Sequence, residues 1–113
     1  MFVIGTLMSG CGVLTANSAA EDSISWDEAL DYVGEKQRVC GNFAGSGKHT
    51  DDVFINIGVD YPDPDRFTIV LWDVGDIEPI PPGSTICTEG VITVYDGSAQ
   101  IQHESIRRVE ISN

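Results

Sequence analysis

The chain has 113 residues, 42% of them hydrophobic and 21% charged, with a formal net charge of −12 at pH 7. That length suits one domain with its own core, and that composition excludes a disordered tail. Eighteen acidic residues against six basic ones oppose docking on phosphate backbones or anionic lipid, which Lys and Arg normally bind, and suit a cationic partner, a saline medium or plain solubility.

The first eleven residues read MFVIGTLMSGC, an apolar run over residues 2–8 followed by Ser9, Gly10 and Cys11. The run is too short for a membrane-spanning helix, which needs about 20 residues. It reads as the apolar region of an export signal. It resembles the end of a bacterial or archaeal lipoprotein signal, in which the cysteine after the small residues becomes the lipidated N-terminus. The resemblance implies lipidation of Cys11 and a place at the cell membrane, on its extracytoplasmic face. The small, polar stretch that follows reads as a spacer. The resulting division is signal 1–11, spacer 12–24 and domain 25–113. Cys40 and Cys87 remain as an even pair in an oxidising compartment. A disulfide between them is expected, with two buried free thiols as the alternative.

Ser25 and Glu28 form an S-x-x-E capping box. Trp26, Ala29, Leu30 and Val33 follow at i, i+3, i+4 and i+7, so the spacing predicts a helix with one apolar stripe, ended by Gly34. The later signals are β. Residues 37–44 form a first strand, the glycine-rich residues 45–51 a loop, and residues 53–58 a second strand. Residues 60–65 are a turn, since two prolines stop ladder donation and aspartates cap turns. Residues 67–72 are a third strand, apolar on both faces. Three prolines make residues 76–83 an extended crossover. A fourth strand spans 85–95, interrupted at Gly90. Asp96-Gly97 is a hairpin turn, and residues 99–103 are a fifth strand. Ile106, Val109 and Ile111 pack the tail. Gly41 and Gly90 mark bends within strands, and five short strands with two bends predict an all-β, closed or partly closed barrel.

Several runs look familiar together: Val39-Cys40-Gly41, then Phe54-Ile55-Asn56-Ile57-Gly58 with Tyr61-Pro62, then Phe67-Thr68-Ile69-Val70-Leu71-Trp72. Ile86-Cys87, Gly90-Val91-Ile92, Tyr95, Gly97 and Gln100-Ile101 continue the pattern. Over about residues 25–111 the chain resembles a group of small bacterial OB-fold domains, described as nucleic-acid-binding-like. The resemblance implies a five-stranded Greek-key barrel, which the capped helix read above completes with one short N-terminal helix. Its ligand would meet the face of strands 2 and 3 and the flanking loops. It implies no catalytic residues.

The candidate ligand-binding residues are Lys48, His49, Tyr61, Arg66 and Trp72, with Trp72 the exposed aromatic at a strand end. Phe54 and Phe67 are assigned to the core, and Tyr61 packs beside Pro62. Asp60, Asp63 and Asp65 lack the glycine and distal glutamate of a calcium loop, and read as a proline-fixed turn. Cys40, Cys87, His49 and His103 lack zinc-ligand spacing. With no serine elbow, phosphate loop or helix-borne carboxylate pair, the sequence predicts no enzyme, no cofactor and no metal site. The expected function is a membrane-tethered, extracytoplasmic binding or interaction module for an unknown protein or a small or cationic ligand. The alternative is single-stranded nucleic-acid binding on stacked aromatics, which the charge opposes.

Overall fold

The computed structural model describes residues 22–113; Cys11 and most of the residues read as signal and spacer lie outside them. Strand β1 (Ile24–Ser25) leads into a 3₁₀ helix (Trp26–Tyr32), then β2 (Lys36–His49), β3 (Asp52–Ile57) and β4 (Phe67–Leu71). After the crossover come β5 (Thr85–Val91), β6 (Thr93–Tyr95), β7 (Ser98–His103), a second 3₁₀ turn (Ile106–Arg108) and β8 (Val109–Ser112).

The strands form one sheet in the order β6-β7-β4-β3-β2-β5-β8, with β1 parallel beside β2. The β4–β7 pair is parallel and the other pairs on this path are antiparallel. β5 and β6 follow each other in the chain with only Ile92 between them, yet stand toward opposite ends of this order. The sheet therefore wraps round on itself. At the seam Gly34 N–H donates to the Ile92 carbonyl (2.8 Å) and Ile92 N–H to that of Glu35 (3.0 Å). Gly90 lets β5 and β7 approach, since a Cβ there would meet Ile101 Cγ2 at 2.6 Å. Val53, Ile55 and Ile57 of β3 and Phe67, Ile69 and Leu71 of β4 point inward, with Ile86, Ile92 and Ile101 closing the core. As expected, Phe67 is fully buried, residues 76–83 form no helix or strand, and Asp96-Gly97 makes a two-residue hairpin turn with both φ angles positive.

The structure corrects three expectations. Eight strands and two 3₁₀ helices replace five strands and one helix among the described residues. The fourth strand is divided at Ile92 rather than Gly90, and β1 and β8 are added at the two ends, β1 taking in Ile24 from the assigned spacer. The glycine-rich residues 45–51 are not a loop. β2 runs on to His49, with Gly45 opposite Asn56 and Gly47 opposite Phe54, and only Thr50 and Asp51 turn. Ladder hydrogen bonds need backbone, not side chains, so pairing overrides poor strand propensity. The helix keeps its cap, with Ser25 N–H donating to Glu28 Oε1 at 2.9 Å. It has three residues per turn, however, so Trp26, Ala29 and Tyr32 face the barrel while Leu30 and Val33 stay about half exposed.

Two contacts lock this arrangement. Trp26 lies against backbone at Gly41 and Gly58: a Cβ would fall 2.5 Å from its Cδ1 at Gly41 and 2.1 Å from its Cδ2 at Gly58. Gly41 stands just before the point where β2 exchanges its β5 partner for β3. Cys40 and Cys87 face each other across β2 and β5, are disulfide-bonded, and close a loop with a sequence separation of 47. Beside them Arg38 pairs with Glu110 of β8.

Gly58→Ala, at φ +87° and with no room for a methyl group, is expected to cost about 2 kcal/mol or more in urea denaturation. Replacing Cys40 and Cys87 together by alanine is expected to cost about 4 kcal/mol by the chain-entropy model. The same experiment on reduced wild-type protein should match that double variant.

Candidate functional site

Strand alternation that sends Ile55 and Ile57 inward sends Phe54 and Asn56 outward. On β4 the outward residues are Thr68 and Val70, on β7 Ser98, Gln100 and Gln102, and on β6 Thr93 and Tyr95. The register aligns them in rows: Gly45, Asn56, Thr68, Gln100 and Thr93 run across five strands, and Gly47, Phe54, Val70 and Gln102 across four. The glycines of β2 leave one side of this face low. The turn between β3 and β4 borders one end of the face, and the β6–β7 hairpin its other side. Between them lies a groove of about 380 Å³.

Its walls are aromatic. Tyr61 and Tyr95 stand at the rim, each 70% exposed, and Phe54 lies in the floor. Arg66 sets its guanidinium over the Tyr61 ring, 5.0 Å from the centroid, while its Nη1 donates to the Asp63 carbonyl at 2.9 Å. The floor also carries a hydrogen-bonded chain. Thr68 Oγ1 donates to Asn56 Oδ1 (3.0 Å), and Asn56 Nδ2 donates to Asp60 Oδ1 (2.8 Å). The same Asp60 oxygen accepts from Tyr61 N–H (2.8 Å). Asn56 and Thr68 are buried polar groups, and the chain satisfies them. Asp60 leans over Gly45, where a Cβ would fall 2.2 Å from Oδ2. Ser98 Oγ, donating to the Pro64 carbonyl at 2.8 Å, pins the turn to the hairpin. The turn is capped by its own aspartates, as expected, with Asp65 N–H donating to Asp63 Oδ1 (2.9 Å) and Asp63 N–H to the Asp60 carbonyl (3.0 Å).

The fold is OB-like. The chain is similar to the asparaginyl-tRNA synthetase from Pyrococcus horikoshii (TM-score 0.56, 17% identity), over 80% of this chain and 23% of the synthetase. It is similar to the OBody AM1L10 bound to hen egg-white lysozyme (TM-score 0.56, 12% identity), over 80% of this chain and 92% of the OBody. It is also similar to the p204 HINb domain (TM-score 0.56, 15% identity), over 88% of this chain and 51% of that one. The chain thus spans about a quarter of the synthetase and half of the p204 chain. No family model matches the chain, and neither does any curated protein.

Within this OB-like sheet, the structure brings Tyr61 and Arg66 into the groove and leaves the other sequence candidates outside it. Lys48 pairs with Asp76 at 2.5 Å; the contact holds the Asp76 carboxyl below, and the Lys48 ammonium above, their ordinary pKa values. His49 is exposed where β2 ends. Trp72, 41% exposed, donates from Nε1 to Gln102 Oε1 at 2.9 Å, beyond the groove. No cluster of three or more metal-ligating side chains forms among the described residues. Phe54, assigned to the core from sequence, lines the groove instead. The signal was available: in Val53-Phe54-Ile55-Asn56-Ile57, period two puts Phe54 on the side of the polar Asn56. Tyr95 was among the aromatics available for stacking, but it, Ser98 and Gln100 reach this face through the parallel β4–β7 pairing, which has no local signal in the sequence.

His103 lies on the inward side of β7, away from the groove. Thr88 Oγ1 donates its one proton to the Arg108 carbonyl (2.8 Å), so at 2.9 Å it accepts from His103 Nε2–H. Burial, and then Arg108, push the His103 pKa below its ordinary 6.5. The native state thus binds the neutral ring, and its stabilising effect is complete above pH 6.5. That effect is lost as the pH falls from about 6.5 through the lowered native value. Thermal melts from pH 7.5 to 5 should show a steeper fall for wild type than for His103→Gln; parallel curves would remove His103 from the account.

Proposed function

We propose that this chain is a binding module without catalytic activity that takes its ligand in the groove between Tyr61 and Tyr95. We further propose that a lipid on Cys11 holds it at the outer face of a membrane. One observation carries the binding role: two tyrosines stand well exposed above a polar floor whose own groups are already hydrogen-bonded to one another. Exposed aromatic rings converging on one concave surface offer contact area at low entropic cost, and the prearranged floor fixes orientation. The groove lies on the face, and near the loops, through which OB barrels generally meet ligands. A protein partner on such a fold has a parallel in the OBody bound to lysozyme. For Cys11 the support is the sequence pattern alone. No helix among the described residues is long and apolar enough to cross a membrane.

Single-stranded nucleic acid is the second reading, because Phe54, Tyr61 and Tyr95 could stack bases beside Arg66. Asp60, Asp63 and Asp65 border the same turn, and the net charge repels phosphates.

Two measurements test these readings. Amide chemical shifts should move saturably at Phe54, Asn56, Thr68 and Gln100 with one class in a panel of short peptides, oligosaccharides and (dT)15. Affinity should fall about tenfold or more in Tyr61→Ala and Tyr95→Ala, since stacking of one ring is worth about 1–3 kcal/mol, and should hold in Trp72→Ala. Saturable shifts that map elsewhere would overturn the groove. Binding of (dT)15 alone, near 50 mM salt where the electrostatic term is strong, would favour the second reading. Metabolic labelling with a lipid precursor should mark the full chain and not Cys11→Ser.

A further inference from the structure

We propose that the groove selects an organic cation, an alkylammonium or guanidinium group, which it holds between the aromatic rings and the Asp60 carboxylate. The inference rests on the binding role proposed above and adds the charge and class of the ligand.

Three observations converge on it. First, Phe54, Tyr61 and Tyr95 line one concavity, and aromatic faces attract a weakly hydrated cation within about 6 Å of the ring centroid. Tyr61 already holds such a group, since the guanidinium of Arg66 sits 5.0 Å from its centroid, and the ring remains 70% exposed. Second, Asp60 brings a fixed negative charge to the same cavity. Its Oδ1 takes the two hydrogen bonds from Asn56 and Tyr61, while Oδ2 has no hydrogen-bond partner among the described residues. The carboxylate is thus oriented without being neutralised. Gly45 leaves the space it occupies, so a side chain at that position would displace it. Third, the field around the groove has the matching sign: Asp63 and Asp65 stand on the adjoining turn, and the net charge is −12.

An anionic ligand would have to approach against that field with Arg66 as its basic contact in the groove, and Arg66 is turned onto a ring and a carbonyl. Arg66 instead competes with the incoming cation by like-charge repulsion. Its removal should strengthen binding.

The cation could be free or carried on a side chain, and the test separates the two. The full chain is titrated with choline, with its uncharged isostere 3,3-dimethylbutan-1-ol, and with a short peptide bearing one trimethyllysine. Choline and the peptide should shift Phe54, Tyr61 and Tyr95 saturably, with the neutral isostere at least tenfold weaker. A peptide at least tenfold tighter than choline assigns the cation to a chain; equal affinities assign it to a small molecule. Asp60→Asn keeps the hydrogen-bonding Oδ1 and removes the charge, and should lower choline affinity about tenfold with unchanged melting. Arg66→Gln should raise it about threefold, as expected for losing a competing exposed cation.

Equal binding of choline and its isostere, or weaker binding in Arg66→Gln, would overturn the inference. In that case the losses in Tyr61→Ala and Tyr95→Ala would still stand, so the groove would remain a binding site for another class of ligand. Absence of any choline or peptide shift would overturn the cation while the wider panel decides the groove.

Discussion

The contact on which the rest depends is that of Trp26 with Gly41 and Gly58. A strand cannot serve two differently inclined halves of a sheet unless it bends, and β2 bends where it leaves β5 for β3. The register of β2 shifts between Phe43 and Gly45, Gly41 just before it leaves room for the indole, and Gly58 does the same after the end of β3. Gly58 N–H donates to the Asn42 carbonyl (2.8 Å), so backbone and side chain fix the same corner. A 3₁₀ helix suits this task, because it offers Trp26, Ala29 and Tyr32 along one edge in a span of seven residues. The disulfide between Cys40 and Cys87 lies beside Gly41 and joins β5 to β2 shortly before the strand changes partner.

Once that corner is set, one set of strands makes both the core and the groove. β3 and β4 give their odd-numbered residues to the interior and their even-numbered ones to the outer face. This explains why two buried polar residues, Asn56 and Thr68, occur in strands that are apolar apart from Asp52 at the start of β3. An isolated amide or hydroxyl there would carry a desolvation cost of about 1–3 kcal/mol. Bonded to each other and to Asp60, they turn that cost into orientation of a carboxylate. The rigidity of the groove floor is therefore a consequence of the barrel's own packing.

The same reasoning marks how far the sequence could be read. Apolar runs and turn residues were enough for the barrel, because strand period, the Asp96-Gly97 hairpin and the proline-rich crossover are local signals. The paired cysteines were legible because only two remain after Cys11. The helix type was not, since the positions shared by α and 3₁₀ spacing, Trp26 and Ala29, do not distinguish them; the choice between Leu30 and Tyr32 is made by the barrel surface. The glycine-rich residues 45–49 read as loop because propensity is blind to a neighbouring strand that can pair with them. Most of the groove was invisible for the same reason. Tyr95, Thr68 and Tyr61 are far apart in sequence, and only the β4–β7 and β6–β7 registers make them neighbours.

Charge was legible as a total and not as a pattern. Two ion pairs form between side chains of the described residues, Arg38 with Glu110 and Lys48 with Asp76, and both lie away from the groove. They consume two of the six basic residues, Arg66 is committed to Tyr61, and most carboxylates are left without a basic partner. Screening confines the resulting field to roughly 8–10 Å at ordinary ionic strength. At that range a domain with this surface is pushed away from anionic lipid and toward cations. The groove, bordered by carboxylates and walled by rings, shares that preference for positive charge.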